Sequence, residues 1–492
     1  MKYSGKILGI VIVAVWIVMM AILISGCFGD TSDQAVKPEL SVSGNNRYLV
    51  NAAGEPFFWM GGTAWGMSEW LTREDIDIYL DNRAEKGFTV VQVCLFWGKR
   101  EEDPVRFTVN PTNGYGHKAF MEVNGKPDPA QPWVISGGTP QNPNDYWDHV
   151  DYIIQAAAKR NLIIAVLPVW GRRYVNASHP SYSQKVFSMA AMKSYGEFLG
   201  KRFMGYSNIV WVLGGDVQAD AGGQYLDHYR SMAEGIITGI TGETVPWDEV
   251  SPLWDNALMT YHPDGSPLIN SSLWFHNDPW MDFNMIETHR SREKVYQAVQ
   301  QDYAMDDPVK PTVMGEPDYE GSRPNMVTAG IHMRRQALHS FFAGAAGFTY
   351  GGKIDQDGNG PLWSPYNNWK EMLDMEGAGS MTNIKSFCLK HSWPDWIPVH
   401  DVIQSNAGEG ENQKVAVFIP HKPLCLVYFP DNSATSLELA SHFDETGDMD
   451  LQWYNPASDS YTERIKAAAI EGKLKVSPPD TWADAILIIR GK

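Results

Sequence analysis

The sequence predicts an α/β protein: a (β/α)8 TIM barrel followed by a small C-terminal antiparallel β-sandwich. Three observations carry this. From Tyr48 to about His391, short runs that are apolar on both faces alternate with amphipathic stretches, the pattern of a parallel sheet buried under helices. Eight such runs can be counted, the number that closes a barrel, with a doubly wound open sheet as the alternative that periodicity leaves open. Beyond about His400 the texture changes to short strands at regular spacing, separated by turns such as Pro430-Asp-Asn-Ser and Asn455-Pro456. A chain of 492 residues has room for one barrel and one smaller domain.

Element by element, Phe57–Gly61 reads as the first strand. Thr72 caps the next helix, with Asp75 in the capping-box position; Ile76, Tyr79, Leu80 and Ala84 form its apolar stripe, and Gly87 stops it. Thr89–Trp97 is the second strand. After a long loop, Gly98–Pro143, the stripe Val150, Ile153, Ile154 and Ala157 marks a helix leading into the third strand, Leu162–Trp170. A helix over Ser183–Phe203, the strand Ile209–Leu213 and a helix around Tyr225–Ile237 follow. Leu258–Tyr261, Phe283–Thr288, Thr312–Gly315 and Gly347–Tyr350 complete the eight. The sandwich strands are Val415–Ile419, Leu424–Phe429, Leu437–Ala440, Leu451–Tyr454, Leu474–Val476 and Ala485–Ile489.

Composition narrows the function classes. With 43% apolar and 20% charged residues the chain is no disordered segment, and its net charge of −18 argues against nucleic acid or anionic membrane surfaces as partners. It carries 19 Trp, 21 Tyr and 19 Phe. Core packing accounts for part of them; the surplus suits sugar sites, because an indole face matches the C–H face of a sugar ring. At the N-terminus, Lys2 and Lys6 precede the apolar run Ile7–Ile24, and Ser25-Gly26-Cys27 follows. A positive region, an apolar region and small residues before a cut site describe a secretory signal. The ending resembles a bacterial lipobox, which would make Cys27 the lipid-modified first residue of the mature chain; a single membrane-spanning anchor is the alternative. The organisation read from this is a lipoprotein signal over 1–27, a flexible tether over 28–44, the barrel over 45–398 and the sandwich over 399–492. The body is exported and held at the outer membrane, cell surface or periplasm, meeting the membrane only through its lipid. The remaining cysteines, Cys94, Cys388 and Cys425, are odd in number and widely spaced, so no disulfide framework, metal site or cofactor is expected. Cys94 and Cys425 read as small buried hydrophobes.

In a barrel, function gathers at the C-terminal ends of the strands. Those ends carry Trp65, Trp97, Trp170 with Arg172, Asp216, Tyr261-His262, Glu287-Thr288-His289, Glu316 and Tyr350. Acids and aromatics without metal spacing suit acid/base chemistry on an oligo- or polysaccharide. Glycoside hydrolysis needs one carboxyl group to protonate the leaving oxygen and a second to attack the anomeric carbon or activate water. Ile209-Val-Trp-Val-Leu-Gly-Gly-Asp216 runs an apolar strand through two glycines into an acid, and Thr312-Val-Met-Gly-Glu316 repeats the design three strands later. Either acid alone reads equally as a helix N-cap; two of them, across the mouth on the fourth and seventh strands, read as a catalytic pair. Trp65, Trp97 and Trp170 are either stacking platforms or packed rim residues. Tyr319, His262 and His289 are candidates to hydrogen-bond the nucleophile, and Arg172 to meet a sugar acid. Asp220 and Glu320 read as helix-start acids. A metallopeptidase would need a motif such as H-E-x-x-H, which is absent.

The stretches Asn46-Arg47-Tyr48-Leu49, Gly54-Glu-Pro-Phe-Phe-Trp-Met-Gly-Gly-Thr63-Ala-Trp65, Tyr79-Leu-Asp-Asn-Arg83-Ala-Glu-Lys-Gly87-Phe88, Trp211-Val-Leu-Gly-Gly-Asp216 and Gly315-Glu316-Pro-Asp-Tyr319-Glu320 resemble the apiosidase-like catalytic domain of glycoside hydrolase family 140. The C-terminal segment, with Trp453-Tyr454-Asn455-Pro456 and Ala485-Ile-Leu-Ile-Ile489, resembles the collagen-binding-like domain that commonly follows it. The resemblance implies a (β/α)8 barrel, an Asp general acid at Asp216 and a Glu nucleophile at Glu316; a retaining mechanism is the expectation for that pair, and a carboxylate spacing of roughly 6.5–9.5 Å would favour inversion. It also implies action on a pectic side chain, at or beside apiose in rhamnogalacturonan II. One stretch departs from the family pattern: the sixth strand ends Glu287-Thr288-His289-Arg290 instead of a Gln-Ser-Gly-His-like run. That makes Glu287 a rival carboxylate, unless it pairs with Arg290 or Arg172. A glycosidase of this fold with another glycan substrate, or a non-catalytic surface glycan-binding lipoprotein, is the alternative reading. The loops Gly98–Pro143, Asn176–Ser183, Thr241–Asn256 and Ile354–Asn367 are where substrate choice would be made.

Overall fold

The computed structural model describes residues 35–98, 109–175, 185–220, 225–323, 326–352, 369–399, 401–443, 448–470 and 472–491. The signal segment with Cys27, and the loops Asn176–Ser183 and Ile354–Asn367, lie outside the described residues. No described helix is long and apolar enough to cross a membrane.

Eight parallel strands form one sheet: β1 (Trp59–Thr63), β2 (Val90–Cys94), β3 (Ile163–Leu167), β4 (Ile209–Gly214), β5 (Met259–His262), β6 (Asn284–Glu287), β7 (Thr312–Glu316) and β8 (Gly347–Tyr350). Their order is β5-β4-β3-β2-β1-β8-β7-β6, so each strand pairs with a chain neighbour and β8 returns to β1. The seam between β5 and β6 is closed by main chain and side chains together. Asp282 N–H donates to Met259 C=O at 2.9 Å, Met259 N–H to the Asp282 carboxylate at 2.7 Å, and the Thr260 hydroxyl to Phe283 C=O at 2.6 Å. The sheet is thereby a barrel rather than an open doubly wound layer.

The helices are α1 (Arg73–Glu85), α2 (Tyr146–Ala158), α3 (Met189–Phe203), α4 (Leu226–Thr241), α5 (Val295–Tyr303), α6 (Gly330–Phe342) and α7 (Glu376–Lys390). Between β5 and β6 only the turn Ser272–Phe275 is helical. Thr72 caps α1 as its position requires, accepting from Asp75 N–H at 3.3 Å. Asp145 caps α2 and Ser188 caps α3 in the same way.

Side-chain parity along each strand sorts the core. In β3, Ile163, Ala165 and Leu167 fill the barrel, while Ile164 and Val166 face the helices. In β4, Val210 and Val212 point in, and Ile209, Trp211 and Leu213 point out. The floor is closed by Leu40 and Leu49, both buried against Trp59, Val90 and Phe283.

Three readings change here. The first barrel strand is Trp59–Thr63, because Pro56–Phe57 pairs instead with Leu49–Asn51 in a small antiparallel sheet. The segment before residue 45 is not all tether: Leu40–Val42 pairs with Leu49–Asn51, and Val36 and Glu39 donate to Met204 and Ser207 carbonyls. The Gly98–Pro143 loop contains a hairpin, Phe120–Val123 with Lys126–Pro132, whose Phe120 inserts among Phe96, Trp147, Phe187 and Tyr195.

The C-terminal domain is a main antiparallel sheet, including β9 (Ile397–Val399), β10 (Val415–Ile419), β11 (Leu424–Phe429), β12 (Asp448–Asn455) and β13 (Ala485–Arg490), faced by the pair Thr435–Glu438 and Lys473–Val476. Both faces of its central strand are buried. Leu424, Leu426 and Tyr428 pack on the barrel's α6 and α7, and Cys425, Val427 and Phe429 pack inside the sandwich. Cys94, Cys388 and Cys425 are free and buried, and burial raises each thiol pKa.

Candidate active site

At the mouth, period-two alternation aims His262 of β5 and Glu287 of β6 inward, in line with Thr260 and Met285. Glu316 is on the wrong parity, since Val313 faces in and Met314 faces out. A register shift corrects this: β6 and β7 pair Ile286 with Met314 but Glu287 with Glu316, leaving Gly315 as an extra residue. The bulge turns Glu316 into the barrel beside Glu287. Gly315 is required there, because a Cβ would come within 2.5 Å of Met285.

Asp216 arrives by a different route. Beyond β4, Gly215 has φ +106° and Asp216 itself has φ +49°, a left-handed conformation that Asp tolerates better than most residues. A Cβ on Gly215 would lie 3.0 Å from the Trp170 ring, so the chain passes directly over that indole. One donor atom each from Asp216, His262, Glu287 and Glu316 lies within 4.8 Å of the others. The sequence-predicted acids from the fourth and seventh strands are thus brought together, with Glu287 as a third.

Their surroundings divide them. His262 is fully buried; its Nε2 lies 3.1 Å from a Glu316 oxygen, off the ideal hydrogen-bond line, and its Nδ1 lies 3.0 Å from Pro263 C=O and 3.6 Å from Glu287. Burial works against charge on the ring, but contact with Glu316 and the charges of Glu316 and Asp216 outweigh it and raise the His262 pKa. Burial likewise works against charge on Glu316, yet His262, His289 and the Tyr319 hydroxyl hold its pKa below the ordinary value. Asp216 is pushed the other way, up to about 7, first by burial and then by the Glu316 charge, with His262 and Arg172 opposing. Glu287 is 2% exposed in its side chain and is raised well above the ordinary carboxylate range by burial, then by Asp216 and Glu316. The four donors have a spacing a divalent cation could bridge. A cation there would hold Asp216 and Glu287 ionised, against the direction in which burial drives both.

The other predicted residues fall into three groups. Trp65, Trp97 and Trp170 form a buried aromatic wall. Trp170 meets Trp65 at 5.1 Å and Trp97 at 4.4 Å between ring centres, and Trp65 meets His262 edge-on at 5.3 Å. Trp65 Nε1 donates to the Tyr319 hydroxyl at 3.1 Å, so the wall positions the tyrosine that faces Glu316. Arg172, half-exposed, lies 3.9 Å from Asp216, and His289 lies 3.9 Å from Glu287. Tyr350 is not in the mouth. Its parity turns it outward into the helix layer, where its hydroxyl donates to Glu320 at 2.6 Å. Glu320 does serve a helix start, as expected, but that of α7 rather than the helix that follows it: it accepts from Gly377 N–H at 2.9 Å.

Two acids escaped the sequence reading. Asp264 is half-buried near Arg172, His262 and Asp216, and burial raises its pKa. It stands directly after β5, so its position past a strand end was the available signal. Glu69 is fully buried and accepts from Trp97 N–H at 2.7 Å and Gly98 N–H at 3.0 Å, tying down the end of β2. It lies in the single turn Met67–Trp70, where no periodicity marks an acid as buried.

Solved structures similar to this chain include one described as a glycoside hydrolase, 26% identical with a TM-score of 0.73, covering 92% of this chain and 97% of its own. Another is a glycoside hydrolase family 5 protein from Bacteroides vulgatus, 24% identical with a TM-score of 0.74, covering 93% and 95%; at that identity it speaks to the fold alone. No curated protein matches the chain. The family model described as the apiosidase-like catalytic domain matches residues 43–395, which include the whole barrel and its carboxylate cluster. The chain belongs to the apiosidase-like family and is a glycoside hydrolase.

Proposed function

We propose that this enzyme is a retaining glycoside hydrolase with Asp216 as general acid/base and Glu316 as nucleophile, cutting a pectic side chain at or beside apiose in rhamnogalacturonan II. One observation carries the mechanism: the two carboxyl groups have oxygens within 4.8 Å and are driven to opposite protonation states. Retaining pairs stand about 5–5.5 Å apart, whereas inverting pairs leave roughly 6.5–9.5 Å for a water. The protonated Asp216 gives its proton to the leaving oxygen as ionised Glu316 bonds to the anomeric carbon. Asp216, now a carboxylate, takes a proton from the water that releases the sugar.

The family description supports apiose as the sugar, and Arg172 supports an acidic substrate, since its half-exposed guanidinium stands at the mouth. The segment 1–27 supports an exported lipoprotein carrying its lipid on Cys27 at the outer membrane, cell surface or periplasm.

The test is incubation with rhamnogalacturonan II and arabinan-type oligosaccharides, with the first-formed anomer followed by NMR. Asp216→Asn and Glu316→Gln should each fall by about 10²-fold or more while still folding. Near-normal turnover by Glu316→Gln, or an inverted first product, would sink the mechanism.

A further inference from the structure

Glu287 has no part in the two-carboxylate mechanism, yet it is the most enclosed acid of the cluster. Three features built it there. Parity on β6 aims it inward; the Gly315 bulge sets Glu316 beside it rather than behind the sheet; and Gly265 leaves it room, because a Cβ at that position would come within 2.8 Å of Glu287 Oε1 and 2.4 Å of His289. Its surroundings are Asp216 beyond β4, His262 and Asp264 from β5, His289 beyond β6 and Glu316 on β7, with Arg172 reaching Asp216 from beyond β3. The only cationic groups among these that approach it are the two histidines, at 3.6 and 3.9 Å. His262 makes its closer contact with Glu316, at 3.1 Å. Arg290, the other cation offered by the sequence, is exposed. The Glu287 carboxyl shares the 4.8 Å cluster with that of Asp216.

We propose that Glu287 is a positioning residue that stays a neutral carboxylic acid through the cycle, its O–H donating to Asp216 and steadying Asp216 as a carboxylate after the first proton transfer. This rests on the acid/base assignment of Asp216. Glu287 forms and breaks no covalent bond: Asp216 gives up its own proton to the leaving oxygen and regains one from water. Asp216 is protonated while Glu316 is ionised, and Glu316 is esterified while Asp216 is ionised, so an ionised Glu287 would double the negative charge of the cluster at each stage, against one imidazolium and the more distant Arg172 and His289. A neutral one leaves the Glu316–His262 ion pair balanced.

Two measurements test this. Difference infrared spectra of wild type against Glu287→Gln should show a protonated-carboxyl C=O band at pH 8 that only the variant lacks. An absent band means an ionised Glu287 and overturns the proposal, whatever the enzyme cleaves. On rhamnogalacturonan II oligosaccharides, Glu287→Gln, which keeps a neutral donor, should hold kcat within about threefold. Glu287→Leu, which has none, should lose about tenfold or more in kcat at little cost in KM, with its alkaline pH limb moved upward because Asp216 loses its donor. Limbs that stay put in both variants, or that move down in both, would show a merely structural or an ionised Glu287. Asp216→Asn on the same oligosaccharides separates the two ideas: if it turns over normally the acid/base assignment fails, while the infrared result stands on its own.

Discussion

Asp216 and Glu316 are two carboxylic acids with the same intrinsic chemistry, made different by what touches them. Glu316 has an imidazole and a phenol in reach, and Asp216, partly buried, has a neighbouring negative charge. The active form needs Glu316 ionised and Asp216 protonated, so kcat/KM should trace a bell. Its acid limb lies below the ordinary glutamate value, because the Glu316 pKa is lowered; its alkaline limb falls near pH 7, where Asp216 loses its proton. A profile still rising at pH 8 would contradict the assignment. Backbone geometry also decides which variant is informative. At φ +49°, Asn is tolerated nearly as well as Asp, so Asp216→Asn isolates the lost carboxyl, whereas Ala would add backbone strain.

Strands, turns and bulges turn those residue types into a site. All eight strands were legible, though the first lies two residues later than read and the second and third end earlier, because a buried parallel strand is largely apolar and polar residues gather where it leaves the barrel. Which way that residue points was not. Tyr350 and Glu316 look alike as strand-end residues, yet one faces the helices and the other the mouth. The difference is the unpaired Gly315, visible only in the pairing of β6 with β7. Gly215 is the second such device. Gly215→Ala should strain a φ of +106° and press on Trp170, displacing Asp216. A misplacement of about 1 Å at a reacting group can cost on the order of 10²-fold, and kcat should carry that loss. Unchanged kcat would mean that Asp216 does not need this turn.

At the scale of the molecule, the sandwich is fastened to the barrel rather than hung from it. Arg334 of α6 pairs with Asp484, immediately before β13, at 3.0 Å, with side-chain exposures of 3% and 1%, and Arg334 also bonds Glu376 at the start of α7. Tyr428 of β11 donates to the same Asp484 at 3.3 Å. Removing one partner of such a pair strands the other charge, at about 3–5 kcal/mol. Wild type should therefore melt in one transition. Asp484→Ala should lower the midpoint and split the barrel from the sandwich in calorimetry, and a single unshifted transition would refute the coupling.

The sequence by itself determined eight buried strands alternating with helices, the sandwich, and the residue types at each strand end, because burial imposes hydrophobic periodicity and an exit from the core imposes polarity; closure of the sheet into a barrel was decided by the contacts between β5 and β6. It also held the family resemblance, in stretches long enough to survive outside any structure. Only the tertiary structure decided which strand ends meet. The bulge that turns Glu316 inward, the helix that takes Glu320 away, and the burial that makes Glu287 a third carboxyl beside Asp216 all depend on atoms distant in the chain. Local patterns cannot carry a parity reversed by one unpaired residue, nor a proton affinity set by neighbours about a hundred residues away.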